Sequence, residues 1–138
     1  MIDLDTVRSF FASAPFMVDL GIEPTAVSEG RCETEMVLLP RHLQHTGQCH
    51  AGVVTSLADH TAGAAAQTLV RGDGVAITAE LKISLLRPAQ GDKLVCRGVV
   101  IKPGRMLIFA ESEVFAITGD RRALVAKLSA TLAVVQPT

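Results

Sequence analysis

The stretch His50-Ala-Gly-Val-Val-Thr-Ser-Leu-Ala-Asp-His-Thr-Ala-Gly-Ala-Ala-Ala-Gln-Thr-Leu-Val70 decides how this chain folds. Small and apolar residues occupy nearly every side of a helix built from it, and a helix of that kind has to be buried. Asp59 is the only acid in the stretch, and neither lysine nor arginine occurs there. A charge in an apolar helix costs several kcal/mol unless something pairs or uses it. Asp59 is therefore the first candidate for a functional residue.

The segments before the long helix predict one short helix and two strands. Apolar residues between positions 2 and 14 follow the spacing of an amphipathic helix, which we expect Pro15 to end. Residues 23–28 and 31–39 predict two strands separated by a tight turn. Pro40 then opens the loop that leads into the long helix.

The segments after the long helix predict four strands joined by short turns. Apolar side chains alternate with polar ones from Val75 to Leu85, which is the period of a half-buried strand. Three more strands follow between turns, at about 93–101, 105–117 and 122–135. Short turns favour antiparallel neighbours. The pattern therefore predicts an α+β fold, a single domain over 1–138 in which one antiparallel sheet wraps around one long central helix.

The composition of the chain limits the kinds of partner that it can bind and the places in the cell where it is expected. A net charge of −1 and a pI near 6.4 give no electrostatic footprint for nucleic acid, and the only aromatic residues are five Phe. Hydrophobic residues make up 49% of the chain, so we expect part of its apolar surface in a subunit interface. Three unpatterned cysteines, an acidic N-terminus and the polar residues within 50–70 predict a cytoplasmic protein that does not span a membrane.

A helical wheel places a stripe of small residues on the same face as Asp59. These residues are Gly52, Thr55, Ser56, Ala62, Gly63 and Ala66. Small side chains around a lone acid indicate that something approaches the helix backbone there. It is a ligand, a partner helix or both.

The start of the same helix is also unusual. Residues 48–51 include none of the side chains favoured as N-caps, which predicts that the first backbone N–H groups are free. Free amides at the positive end of a helix dipole suit an anion or a developing oxyanion. Alternatively, Thr46 caps a helix that starts slightly earlier.

Asp59 and the helix start are too far apart to act together within one chain. Ala51 lies eight residues before Asp59, which corresponds to about 12 Å of helix rise. A carboxylate must lie within about 3 Å of the proton that it handles. A site that uses both groups therefore combines the helix start of one subunit with Asp59 of another. This predicts a two-fold homodimer with two composite sites.

The motif Gln44-His-Thr-Gly-Gln-Cys-His-Ala-Gly52, followed by an acid seven residues later, resembles the signature of hotdog-fold acyl-CoA thioesterases. The match is to the PaaI-like branch, of the phenylacetic-acid-degradation type. Residues 78–88 resemble the family's next strand, and Lys102-Pro-Gly-Arg105 resembles its next turn. The resemblance implies the hotdog fold, hydrolysis of an acyl-CoA thioester, and homodimers that commonly pair again into a dimer of dimers.

The resemblance also implies a role for each residue of the motif. Asp59 would be the general base or nucleophile, assisted by Thr78. The Ala51 amide would form the oxyanion hole, Gln44 would position the water or the thioester, and His50 would hold the loop. Other branches of the family carry Gly and Asn where this chain has Ala51 and Gln44. Residues expected to contact the substrate are Gly47, Gly52, Ala62, Arg87 and Arg105. No cofactor is expected, because coenzyme A is part of the substrate.

Other interpretations of the same residues stay open. A non-catalytic acyl-CoA sensor would use the same pocket, and a hotdog hydratase or dehydratase would need a His paired with an acid, for which His50 and His60 are poorly placed. His60 lies about 100° around the helix from Asp59 and is interpreted as structural. Cys49 is interpreted as a free structural thiol, and without a standard zinc spacing no metal is expected.

Overall fold

The computed structural model describes residues 2–137. Its helices are α1 (Leu4–Ala12), α2 (Pro15–Leu20) and α3 (Ala51–Gln67), and a 3-10 turn spans Pro40–His42. Its strands are β1 (Glu23–Ser28), β2 (Arg31–Val37), β3 (Val75–Leu85), β4 (Lys93–Lys102), β5 (Leu107–Thr118) and β6 (Arg121–Val135). None of the described helices combines the length and the apolar character needed to cross a lipid bilayer.

All six strands form one antiparallel sheet in the order β1-β2-β4-β5-β6-β3. The central helix α3 packs on this sheet and contacts every strand from β2 to β6. An antiparallel sheet around one long helix is the hotdog fold, so the α+β prediction is confirmed. The strand bounds agree with the sequence prediction to within about two residues.

The core lies where the alternating strands meet the apolar side of α3. In β5, every second residue from 108 to 116 is buried. Leu57 and Ala58 of α3 have no exposed surface. Gly98 of β4 lies so close to the helix that an added Cβ would stand 2.7 Å from the carbonyl oxygen of Thr61. The helix therefore rests almost directly on the backbone of the sheet.

Pro15 begins a second helix, which the sequence prediction missed. The helix expected over 2–14 is α1, whose N-cap Asp3 accepts a hydrogen bond from the Thr6 N–H at 2.8 Å. Pro15 occupies the first position of α2, where the absence of an N–H costs nothing. Gly21 ends α2 with a φ of 79°, a left-handed conformation that glycine adopts without strain.

Strand β3 forms one edge of the sheet and exposes apolar side chains. Within residues 2–137 it pairs only with β6. Val75, Ile77, Leu81 and Leu85 are between 37% and 53% exposed. A long apolar edge strand offers its free backbone groups to another chain. Within residues 2–137, the backbone groups on the outer side of β3 have no strand partner.

Candidate functional site

Asp59 lies at the middle of α3, where the helix meets the edge strand β3. Its side chain is half-buried, and Oδ1 accepts a hydrogen bond from the Thr78 hydroxyl at 2.8 Å. The pairing of β3 with β6 shifts register directly after Thr78, which is a bulge. Bulges redirect side chains and are common beside functional sites. The acid that the sequence singled out thus has a hydrogen-bond partner on a different element.

A cavity of about 640 Å³, here called the acid cavity, opens beside Asp59. Asp59 and Thr78 form one part of its wall, and Phe10 and Phe11 of α1 form another. The loop that carries Asp73 and the last turns of α3 complete it. The cavity is within the size range of small-molecule sites, which is about 300–1,000 Å³. Most of its lining is apolar, so the Asp59 carboxylate is placed where an apolar ligand would meet it.

His60 also lines the acid cavity, although the helical wheel separated it from Asp59. Its ring packs edge-on against Phe11, with centroids 4.3 Å apart and an interplanar angle of 72°. Its Nε2 atom is buried without a hydrogen-bond partner within residues 2–137. Burial lowers the pKa of His60, and the neighbouring Asp59 acts in the opposite direction. The ring is neutral at pH 7 and connects α3 to α1. In the sequence, only the amphipathic pattern of residues 2–14 indicated the helix α1 that forms this wall of the acid cavity.

His50 caps the start of α3, a role that the list of favoured N-caps missed. The helix begins at Ala51, and Nδ1 of His50 accepts a hydrogen bond from the Gly52 N–H at 2.8 Å. The alternative cap, Thr46, is wrong because it lies five residues before the first helical residue. The Ala51 N–H has no acceptor in the described part of the chain. The sequence predicted several free amides at this helix start. Because His50 caps the Gly52 N–H, the free donor is the Ala51 N–H.

Backbone hydrogen bonds hold the loop that leads into α3. The His50 N–H donates to the His42 carbonyl at 2.9 Å, and the Cys49 N–H donates to the Ala89 carbonyl at 2.8 Å. Gln44 and Gly47 close a tight turn, in which Gly47 has a φ of 85° that favours glycine. The loop is thus fixed at several points before the helix begins.

A second, smaller cavity of about 250 Å³, here called the helix-start cavity, lies at the other end of β3. Gln44, Ala51 and Arg87 line it together with Leu85. The Arg87 guanidinium donates to the Leu124 carbonyl at 2.7 Å, which holds the side chain in place. Three of the residues predicted for the site therefore meet here.

The structure keeps the two cavities apart. Within residues 2–137, no residue lines both cavities, although β3 reaches each of them. Val75, Ala76 and Thr78 border the acid cavity, and Leu85 borders the helix-start cavity. Asp59 and Thr78 are brought together, and so are Gln44 and Ala51, but the two groups do not meet within one chain. This agrees with the separation calculated from helix rise.

Four of the five expected substrate contacts lie outside both cavities. Ala62 is fully buried and packs beside Gly98, because its side of α3 faces the sheet; its placement as a substrate contact is corrected. Arg105 is exposed in the turn between β4 and β5. Gly47 and Gly52 serve the turn and the capped helix start described above.

The three cysteines are buried free thiols. Burial raises the pKa of Cys49 to about 11 and those of Cys32 and Cys96 to about 12. They are protonated at pH 7 and poor nucleophiles. Within residues 2–137, no cluster of three or more His, Cys, Asp or Glu side chains is arranged to hold a metal ion.

Comparisons with known proteins identify the family and agree with the fold. Residues 46–123 match the thioesterase superfamily. A thioesterase family protein from Silicibacter pomeroyi is 33% identical, with 95% of this chain and 96% of that chain covered and a TM-score of 0.92. A thioesterase from Haemophilus influenzae is 23% identical, with coverages of 99% and 92% and a TM-score of 0.87. The PaaI protein of the E. coli phenylacetic acid degradation operon is 21% identical, with coverages of 97% and 94% and a TM-score of 0.85. No curated protein matches the chain.

Proposed function

Because this chain belongs to the thioesterase superfamily, we propose that it hydrolyses an acyl-CoA thioester with Asp59 as general base or nucleophile. The observation that carries the proposal is the half-buried Asp59 carboxylate, bonded to Thr78 in the wall of the acid cavity. Only Oδ1 has a hydrogen-bond partner within residues 2–137, so Oδ2 is free to accept a proton from water.

The chemistry needs little more than a base and an oxyanion hole. Water attacks the thioester carbonyl carbon, and the proton it loses is taken by Asp59. The carbon–sulfur bond then breaks, and the proton passes to the departing thiolate to give coenzyme A and the free acid. The conjugate acid of that thiolate has a pKa near 8.5, so no strong general acid is required. In the covalent variant, Asp59 attacks the carbonyl and water releases the acyl group afterwards.

The Ala51 N–H of a partner subunit would stabilise the oxyanion. It is the free donor at the positive end of α3, where a developing negative charge is favoured. Gln44 lies in the same cavity and would orient the thioester or the water. Since Asp59 and Ala51 of one chain are about 12 Å apart along α3, each site takes its acid and its oxyanion hole from different subunits.

The edge strand β3 offers a direct route to this composite site. Antiparallel pairing of two β3 edges about a two-fold axis places the start of one strand beside the end of the other. Val75 and Thr78 border the acid cavity and Leu85 borders the helix-start cavity, so this pairing would bring the acid cavity of one subunit to the helix-start cavity of its partner. The exposed apolar side chains of β3 supply the contact surface.

The acid cavity would hold the acyl group. Phe10, Phe11, Val70 and Val75 make its wall largely apolar, and its volume of about 640 Å³ accepts an acyl chain of moderate length or an aryl group. A second carboxylate, Asp73, lies at its wall together with Asp59. Two acids disfavour an anionic acyl group, so the proposed substrates carry uncharged acyl groups.

The test is thiol release from a panel of aryl-, short- and medium-chain acyl-CoAs, detected with a chromogenic thiol reagent. We expect wild type to hydrolyse at least one of them and Asp59→Asn to lose about 100-fold or more in kcat, since the amide cannot act as a base. Asp19→Asn is the matched control: it makes the same change in an exposed acid of α2 that lines neither cavity, and it should keep kcat within about twofold.

Equal kcat in wild type and Asp59→Asn would refute the assignment of Asp59. Binding of acyl-CoA by wild type without turnover of any substrate would instead favour a sensor. Thermal unfolding of both variants confirms that differences in kcat do not come from loss of the fold.

A further inference from the structure

Three hydroxyl groups lie in the otherwise apolar core directly beneath the turn of α3 that carries Asp59. They belong to Thr34 of β2, Thr61 of α3 and Ser112 of β5, and each residue is at most 1% exposed. We call them the hydroxyl cluster. The Cys96 thiol lies among them, and their hydrogen bonds partly oppose the effect of burial on its pKa.

The direction of each hydrogen bond follows from counting donors. Thr61 Oγ1 donates to the Leu57 carbonyl at 2.7 Å, which uses its one proton. The contact of 2.6 Å between the hydroxyls of Thr34 and Thr61 therefore has Thr34 as the donor. Ser112 Oγ donates to the Ala58 carbonyl at 2.7 Å. The sheet thus bonds to α3 at two points on either side of Asp59, the Ala58 carbonyl and the Thr61 hydroxyl.

Within residues 2–137, the other side-chain hydrogen bonds between α3 and a strand are those of Asp59 with Thr78 and of Gln67 with Ala76, both on the edge strand β3. The side chains of α3 that face the sheet include Ala58, Ala62 and Ala65, which are fully buried and nearly featureless. Gly98 brings β4 against the helix backbone and adds no side chain that could interlock. Apolar contact is non-directional, whereas a hydrogen bond weakens steeply with distance and angle. The hydroxyl cluster is therefore the directional contact of this turn with the middle of the sheet, where β2 and β5 lie, apart from the edge contact of Asp59 with Thr78.

We infer that Thr34, Thr61 and Ser112 are positioning residues, which set the place of Asp59 on α3 relative to Thr78 and to the oxyanion hole of the partner. This inference rests on the proposed thioesterase function. None of the three residues lines the acid cavity; Thr34 acts through the Thr61 hydroxyl, and Ser112 acts through the Ala58 carbonyl. A displacement of about 1 Å at a catalytic group can cost about 100-fold in rate, so small shifts of this turn matter.

The test compares a hydroxyl-free variant with a hydroxyl-keeping one. The hydroxyl-free variant carries Thr34→Val, Thr61→Val and Ser112→Ala. Because both threonines of the pair become isosteric apolar residues, neither is left as a buried unpaired group, and stability should change little. The hydroxyl-keeping variant carries Thr34→Ser and Thr61→Ser, which loses two methyl groups and is expected to be the less stable of the two. The single variant Ser112→Ala serves if the triple variant does not fold.

Two readouts separate positioning from stability. We expect kcat for thiol release to fall about tenfold or more in the hydroxyl-free variant with KM within about twofold, and to stay near wild type in the hydroxyl-keeping variant. The 13C chemical shift of the Asp59 carboxyl carbon, assigned with Asp59→Asn, should move in the hydroxyl-free variant alone.

Unchanged kcat and unchanged Asp59 shift in the hydroxyl-free variant would overturn the inference and leave the thioesterase proposal standing. The same holds if losses in kcat follow losses in melting temperature across both variants. If wild type hydrolyses no acyl-CoA, the proposed function fails, and the Asp59 chemical shift alone decides whether the hydroxyl cluster positions the acid.

Discussion

At the scale of single residues, Asp59 matters because of its contact with Thr78. The chain offers the carboxylate one neutral hydrogen bond, at Oδ1, and no cation within the described residues forms a salt bridge with it. A neutral donor orients a carboxylate without neutralising it. The sequence identified Asp59 by its isolation in an apolar helix. The contact of its carboxylate with Thr78, however, lies beside a bulge in β3 that no local sequence pattern predicted.

Replacing Thr78 tests this orientation. Thr78→Val removes the donor at nearly constant shape, so we expect kcat to fall about tenfold while Thr78→Ser keeps most of it. Thr131→Val makes the same change on the neighbouring strand β6 and should leave kcat near wild type. Steady-state kinetics of thiol release measures all three, and a fully active Thr78→Val would exclude a role for this hydrogen bond.

At the scale of elements, the start of α3 shows where sequence patterns were sufficient and where they were not. The long helix and the strands were predicted because their hydrophobic periods are strong and continuous. The cap was missed because His50 acts through a ring nitrogen, which becomes an acceptor for Gly52 only once the loop is folded. Pro15 was predicted only to end a helix, but a proline also suits the first position of the next one, as it does in α2.

Ala51→Pro tests the free amide without removing the helix. Proline lacks only the N–H in question and suits the first position of a helix. The preceding His50, with φ of −62° and ψ of 138°, already has the extended conformation required before proline. We expect kcat to fall about 100-fold or more, the usual effect of losing an oxyanion-hole donor.

Ala51→Gly is the control for that substitution, because it changes the same position and retains the N–H. It should stay within a few-fold of wild type, and circular dichroism should show similar helix content in both variants. An Ala51→Pro enzyme as active as wild type would remove the amide from the mechanism.

At the scale of the whole molecule, the fold could be predicted from the sequence, whereas the cavities could not. The sheet and the helix follow from local hydrophobic periodicity and short turns, so the hotdog fold could be predicted. The acid cavity is built by α1, α3 and β3 together, and contacts such as Phe11 against His60 depend on how distant elements pack. The separation of Asp59 from Ala51 was predictable, since it needed only the rise of a helix.

That separation predicts complementation between two inactive variants. Asp59→Asn lacks the acid and Ala51→Pro lacks the oxyanion donor, so homodimers of either are expected to be nearly inactive. Subunits that exchange freely form about half heterodimers, each with one intact composite site, and about a quarter of wild-type activity should return. Thiol release before and after mixing and subunit exchange measures this. Absence of recovery despite verified exchange would place both groups in one subunit.

The exposed β3 edge also bears on how the stability of the protein depends on its concentration. A folded chain alone leaves the backbone groups on the outer side of this strand to water or to other strands, with four large apolar side chains exposed beside them. If pairing of these edges covers that surface, folding and association draw on the same free energy, and the melting temperature rises with the amount of protein present. Dilution then destabilises the fold and separates the two subunits that form each site. The activity per chain therefore depends on the protein concentration.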